Sequence, residues 1–183
     1  FVFSQQKRTE IRKNLNLSDR ELLIVFSSGG IAKWQDNQMV YAIAEKGFKV
    51  LNLSKIVIEH KNVINRFVPY RDVPYYLSAA DAAFIWRSKS IVNEVASPVK
   101  FSEYMACGLP VIHNGTINLI NQKTELYKNG LSIKDIDDLE MDSVLSLVND
   151  TNREKLSIDG QVLFGQYAIS NSYKQIYTSF VKQ

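Results

Sequence analysis

Six short apolar runs alternate along this chain with segments of helical period, and that alternation leaves few architectures open. The first run, Leu22 to Phe26 in ELLIVFSSGG, is apolar at every position and ends in Ser27, Ser28, Gly29 and Gly30. An unbroken apolar run closed by glycines is a strand buried on both faces, since a half-wet strand would alternate. FKVLNL (48–53), NVINRFV (62–68), AAFIW (82–86), PVIH (110–113) and LSI (131–133) supply five more strands. The spacing predicts helices between them. Residues 4–15 open on Ser4 as N-cap, and a helix from Gln35 to Lys46 places Met39, Ala42, Ile43 and Lys46 on one face before Gly47. Asp72 with Pro74 starts a short helix to Ala80. Ser97 as N-cap and Pro98 at the first helical position start another, which Gly108 and Pro110 close. Helices over Asn118 to Lys128 and Leu139 to Asn149 follow, then one opened by Thr151 with Glu154 as a capping box, and a last helix with Tyr173, Ile176, Tyr177 and Phe180 on one face. Residues 54–61 suit helix or strand equally, and the polar stretch from Arg87 to Ala96 reads as a loop. Strands and helices in this order form right-handed βαβ units, hence an α/β fold with a doubly wound, Rossmann-like parallel sheet.

Composition removes several function classes. With 45% hydrophobic residues in 183, one domain spanning 1–183 can build its core without staples. Twenty-two basic residues against 19 acidic ones give a net charge of +3, and no run of five like charges occurs. That balance argues against nucleic acid as a partner. The lone cysteine, Cys107, has no disulfide partner and no companions for a structural metal site, so a core role suits it better than nucleophilic chemistry. Sequons at Asn16, Asn52, Asn114 and Asn149 are what an Asn- and Ser-rich chain yields by chance. No apolar run reaches the roughly 18 to 20 residues of a membrane span. The first residue is Phe, not Met, which reads as a fragment lacking its natural start.

Ligands of open parallel sheets bind at the carboxyl ends of the strands. Four segments fall there: the glycine turn at 28–33, the turn around Pro69, the loop from Arg87 to Ser97 with the helix start after it, and His113 to Thr116. The turn SSGGIAK brings backbone N–H groups close to a ligand, and Lys33 adds a positive charge, although the same residues also make an ordinary strand-to-helix turn. The helix start near Ser97, Pro98 and Val99 offers unpaired N–H groups, and Lys100 beside it opposes the helix dipole unless an anion joins them. Glu103 lies three residues beyond Lys100 on the same face. Spacing alone reads that pair as a surface salt bridge or as part of a site. His113 suits an internal hydrogen bond better than a ligand contact, and Trp34 and Trp86 suit half-buried covers.

The run SPVKFSEYMACGLPVI, taken with PYRDVPYYLSAADAAFIWRS and SSGGIAKWQ upstream, resembles the C-terminal, donor-binding half of a GT-B glycosyltransferase of family 4 (group 1). The likeness extends from Leu22 to Gly130 in the right order. It implies a nucleoside diphosphate sugar as donor, of UDP or GDP type, with no cofactor and no obligatory metal. Glu103 matches the family glutamate that binds the ribose hydroxyls. The helix start and Lys33, with Gly29 and Gly30, match the diphosphate site, and the backbone from Val68 to Tyr70 matches the base contact. Where the family commonly has a second glutamate, eight positions before Glu103, this chain has Val95. Arg87 and Asn93 are the candidate substitutes at the sugar, and Lys33 and Arg87 the candidate catalytic cations. The resemblance further implies an N-terminal acceptor domain outside this chain, an acceptor of the lipid-linked kind, and bacterial polysaccharide or glycolipid assembly in the cytoplasm or at the inner face of the membrane. A sugar-nucleotide epimerase of the same two-domain plan and a non-catalytic nucleotide-binding module are the rival readings. The stripe Tyr173, Ile176, Tyr177 and Phe180 packs either on its own sheet or on that second domain.

Overall fold

The structure, a computed structural model, describes residues 1–28 and 38–165, and beyond them 170, 173, 174 and 177. One sheet contains β1 (Leu23–Ser27), β2 (Lys49–Leu53), β3 (Val63–Asn65), β4 (Ala82–Ile85), β5 (Val111–His113) and β6 (Gly130–Ser132). All pairs are parallel and the spatial order is β3-β2-β1-β4-β5-β6. The chain builds outward from β1 through β2 to β3, then crosses back and builds the other way from β4, so the direction of winding reverses between β1 and β4. That reversal is where a doubly wound sheet leaves a crevice beyond its strand ends.

The helices are α1 (Gln5–Asn14), α2 (Gln38–Glu45), α3 (Val73–Ala79), α4 (Ile91–Glu94), α5 (Val99–Ala106), α6 (Asn118–Tyr127), α7 (Met141–Asp150) and α8 (Arg153–Phe164). They cover both sheet faces. Leu23, Val25 and Leu51 pack with Leu77, Phe101, Tyr104, Met105 and Leu156 on one side. Ile24, Phe26, Val50 and Phe84 pack with Val40, Ile43 and Val144 on the other. Successive β1 side chains thus enter opposite cores, which explains its unbroken apolar run. Each fully buried aliphatic side chain contributes about 1.5–3 kcal/mol. Among the described residues no helix is long and apolar enough to cross a membrane.

A charged cluster fixes α1 and α8 to the α3–β4 junction. Arg8 and Arg12 pair with opposite oxygens of Asp81, at 2.5 and 3.2 Å, and Asp81 also accepts from the Leu23 backbone N–H. Arg8 and Arg153 both donate to the carbonyls of Ser78 and Ala80, with Ala79 shared by Arg8 and Arg12. These are the end of α3, where carbonyls lack intrahelical donors and the helix dipole favours cations.

Several boundaries differ from the sequence expectation. β3 ends at Asn65 instead of Val68, because its only partner, β2, turns away at Ser54, whose hydroxyl takes up the Ile56 N–H. Residues 54–61 form neither helix nor strand. Asn52 and Asn65 side chains tie them down through Ile56 and Ile58, and Asn52 is fully buried, which excludes that sequon as a glycosylation site. The expected loop after β4 contains α4, one turn capped by Ser90, whose hydroxyl accepts from the Asn93 N–H. The N-cap of α5 is Pro98, with extended backbone, so Ser97 lies one residue outside. Asn152, not Thr151, caps α8, because the Thr151 hydroxyl donates back to Leu147 in α7.

Candidate functional site

α5 is pinned along its buried face and just past its C-terminus. Phe101, Tyr104 and Met105 are buried under it, and the Tyr104 hydroxyl accepts a 3.0 Å hydrogen bond from the Ser27 N–H at the carboxyl end of β1. Burial raises the Tyr104 phenol far above its usual range. Just past the helix, Gly108 adopts a positive φ of 67°, which only glycine takes without strain. The helix therefore projects its first turn into the crevice between β1 and β4 in a fixed orientation.

Glu103, on that helix, is 5% exposed. Its Oε2 accepts from Lys100 Nζ at 2.6 Å and its Oε1 from the Tyr70 hydroxyl at 3.1 Å. This is no wet surface pair, since the Glu103 side chain is 6% exposed and that of Lys100 22%. Burial and the neighbouring carboxylate raise the Tyr70 phenol, which keeps it protonated as a donor. A buried carboxylate without partners would be neutralised by its environment. Here an ammonium and a phenol donate to opposite oxygens, so both acceptor atoms are partnered.

Two cavities flank the start of α5. One, of about 160 Å³, is lined by Ser27, Ser28, Phe67, Val68, Tyr70 and Lys100 among others. The larger, of about 590 Å³, is lined by Arg87, Ser88, Val92, Asn93, Ser97 and Pro98 among others. Between them a space of about 10 Å³ is bounded by Ser27, Trp86, Arg87, Lys100 and Tyr104. Lys100 and Arg87 therefore stand at the two ends of the junction. The Arg87 carbonyl accepts from Asn114 and Thr116, which fixes the strand end, and burial lowers its guanidinium from the ordinary value. Asn93 donates to the Ser88 carbonyl at 2.8 Å and holds the loop wall. Val99, at the start of α5, is exposed, as are Ile91, Val92 and Val95.

The sequence candidates thus divide. Val68, Tyr70 and Lys100 line the smaller cavity, with Glu103 tied to it through its hydrogen bonds to Tyr70 and Lys100, and Arg87, Asn93, Ser97 and Pro98 line the larger. Gly29, Gly30 and Lys33, with Trp34, lie outside the described residues. Sequence reasoning missed the Tyr70 side chain as a partner of Glu103, and Phe67 as a cavity wall; an exposed aromatic just past a strand's carboxyl end was the available signal. His113 is internal: Nδ1 accepts from the Gly115 N–H, which leaves Nε2 to donate to the Thr124 hydroxyl. Cys107 is buried, and burial pushes its thiol up to about 12, so it is an inert core residue. Trp86 is half-buried and stacks on Phe84. Among the described residues no group of three His, Cys, Asp or Glu side chains could hold a metal ion.

No protein-family model matches this chain, and no curated protein matches it significantly. Solved structures do. A glycosyltransferase from Rickettsia africae superposes with a TM-score of 0.73 at 10% identity over 99% of this chain and 53% of its own. Anabaena HepE, solved with UDP and glucose, gives 0.70 at 13% identity over 98% and 54%. Sucrose-phosphate synthase from Thermosynechococcus elongatus gives 0.66 at 18% identity over 99% and 50%. The chain spans about half the length of these structures. Its fold is that of one half of a GT-B glycosyltransferase, the C-terminal, Rossmann-like half.

Proposed function

We propose that this chain is the donor-binding domain of a glycosyltransferase: it holds a nucleoside diphosphate sugar while the sugar passes to an acceptor hydroxyl. The observation that carries the reading is Glu103, a buried carboxylate beyond the strand ends whose two oxygens accept from Lys100 and Tyr70, both of the latter at the cavity beside it. A vicinal diol is a natural partner for such an acceptor, and the start of α5 with Lys100 lies where a diphosphate would follow. The base then occupies the cavity beside Val68 and Tyr70, and the sugar the larger cavity beside Arg87, Ser97 and Pro98. HepE, a structure of the same fold, was solved with UDP and with UDP-glucose, which supports a UDP-type donor.

In the reaction the bond from the sugar to the diphosphate breaks and negative charge accumulates on the departing phosphate. Lys33, Arg87, Lys100 and the first N–H groups of α5, including that of Val99, stabilise it; removing one preorganised donor in such a site typically costs about 2.7–4 kcal/mol of barrier. The acceptor and the groups that deprotonate it belong to a second, N-terminal domain, with the acceptor of the lipid-linked kind used in bacterial polysaccharide or glycolipid assembly at the cytoplasmic face of the membrane. Titration calorimetry with UDP, GDP and their glucose and mannose conjugates tests the donor reading. Saturable binding of one nucleotide series is the expected result, and heat of dilution alone throughout the panel would overturn it.

A further inference from the structure

Two side chains already occupy Glu103, and one of them does more than neutralise it. A carboxylate offers about four lone-pair positions. Among the described residues, Lys100 takes one on Oε2 and Tyr70 one on Oε1, leaving one on each oxygen untaken by those residues, the arrangement a vicinal diol requires. The two partners differ in what they fix. The terminal torsion of a glutamate is broad, and an ammonium is a rotating point donor on a flexible stem, so Lys100 supplies charge but leaves the carboxylate plane free to turn. A second donor on the opposite oxygen stops that rotation.

Tyr70 is built to be that donor. It opens the short 3-10 turn Tyr70–Asp72, closed by the Asp72 N–H on the Pro69 carbonyl, immediately before α3. Its ring is 64% exposed and packs at 5.4 Å from Phe1, while its hydroxyl reaches inward to a carboxylate that is 5% exposed. The same side chain lines the 160 Å³ cavity, so it touches both the acceptor group and the space beside it. Building on the donor-site reading above, we infer that Tyr70 is a positioning residue: its hydroxyl sets the plane of Glu103, and discrimination between a ribonucleotide and its 2′-deoxy counterpart passes through it.

A purely structural role for the hydroxyl would affect folding, or all nucleotides alike, and leave that discrimination unmoved. Calorimetry with UDP, dUDP, GDP and dGDP, on the unmodified chain and on Tyr70→Phe, separates the two. Because the ring is mostly exposed, the variant keeps the fold. The unmodified chain should bind its preferred ribonucleotide at least about tenfold more tightly than the 2′-deoxy form, and Tyr70→Phe should compress that ratio to about threefold or less. A ratio unchanged in Tyr70→Phe, an equal loss for both forms, or an unmodified chain that binds both forms equally would overturn the inference and leave the donor-site reading standing. Failure of all four nucleotides to bind the unmodified chain would overturn that reading, and the inference with it.

Discussion

Burying a carboxylate costs several kcal/mol unless its charge is met, and at Glu103 it is met by an ammonium and a phenol. That makes the residue testable in two ways. Glu103→Gln keeps the volume but removes the charge from hydrogen bonds worth about 1.5–3 kcal/mol each, so nucleoside diphosphate affinity should fall at least about tenfold by calorimetry. The same change strands Lys100, whose side chain is 22% exposed, so denaturant unfolding should show a loss of about 1–3 kcal/mol, where a wet ion pair would cost under about 0.5. His113 gives a second prediction. Burial lowers it to about 4, below the roughly 6.5 of an unfolded chain, so the unfolded state binds its proton first as pH falls. Its contribution is complete above about pH 6.5 and is lost toward pH 4, up to about 3 kcal/mol; unfolding measured from pH 7.5 to 4 should steepen below 6.5 in the unmodified chain and flatten in His113→Gln. Spacing alone leaves Glu103 and Lys100 open between a surface salt bridge and part of a site, and only the family resemblance singles Glu103 out; what the structure adds is that the pair is not wet. The Tyr70 contact is invisible in the sequence, since it joins residues 33 apart through a fold that spacing alone does not supply.

At the scale of elements, the placement of Glu103 depends on how closely α8 approaches α5. Gly160 lies at that crossing: a Cβ built there would stand 2.5 Å from the Met105 carbonyl carbon and 2.6 Å from the Ala106 N. Those are backbone atoms, so the helices themselves would have to separate. Gly160→Ala should therefore cost about 1–3 kcal/mol in denaturant unfolding, and because α5 carries Lys100 and Glu103 it should also weaken nucleotide binding. Unchanged stability in that variant would show that the crossing has slack the geometry denies. The same packing explains which elements the sequence revealed. Strands buried on both faces announce themselves as continuous apolar runs, and α1, α6 and α7 carry full helical periods. One-turn α4 is too short to show a period, and the exact caps of α5 and α8 turned on which of two adjacent residues took extended backbone or spent its hydroxyl elsewhere.

For the whole molecule, the exposed apolar residues gather unevenly. Val92, which lines the larger cavity, and Ile91, Val95 and Val99, all on or next to α4 and the start of α5, are between 67% and 79% exposed. Phe67 and Tyr70, 65% and 64% exposed, stand at the smaller one. Contiguous apolar surface beside a cleft marks a face that another body covers. The stripe expected along the last helix bears on the same point: Tyr173 and Tyr177 are 62% and 71% exposed, while Ile176 and Phe180 lie outside the described residues. Since this chain matches about half the length of each of the three glycosyltransferases above, the covering body in our reading is the acceptor-binding half. Transfer requires donor and acceptor oriented within bonding distance, an arrangement worth roughly 7–11 kcal/mol of barrier, and one half of a cleft supplies only one of the two partners. The 183-residue chain should accordingly bind the nucleotide yet release no sugar to any acceptor, whether water, simple glycosides or lipid-linked saccharides, when incubated with radiolabelled donor. Ile91→Ser with Val95→Ser should leave nucleotide affinity within about twofold, because neither side chain reaches Glu103, and should abolish transfer once both halves are present in one polypeptide. Label transferred to an acceptor by this chain alone would mean that it carries a complete active site, and the division of labour between two halves would have to be abandoned.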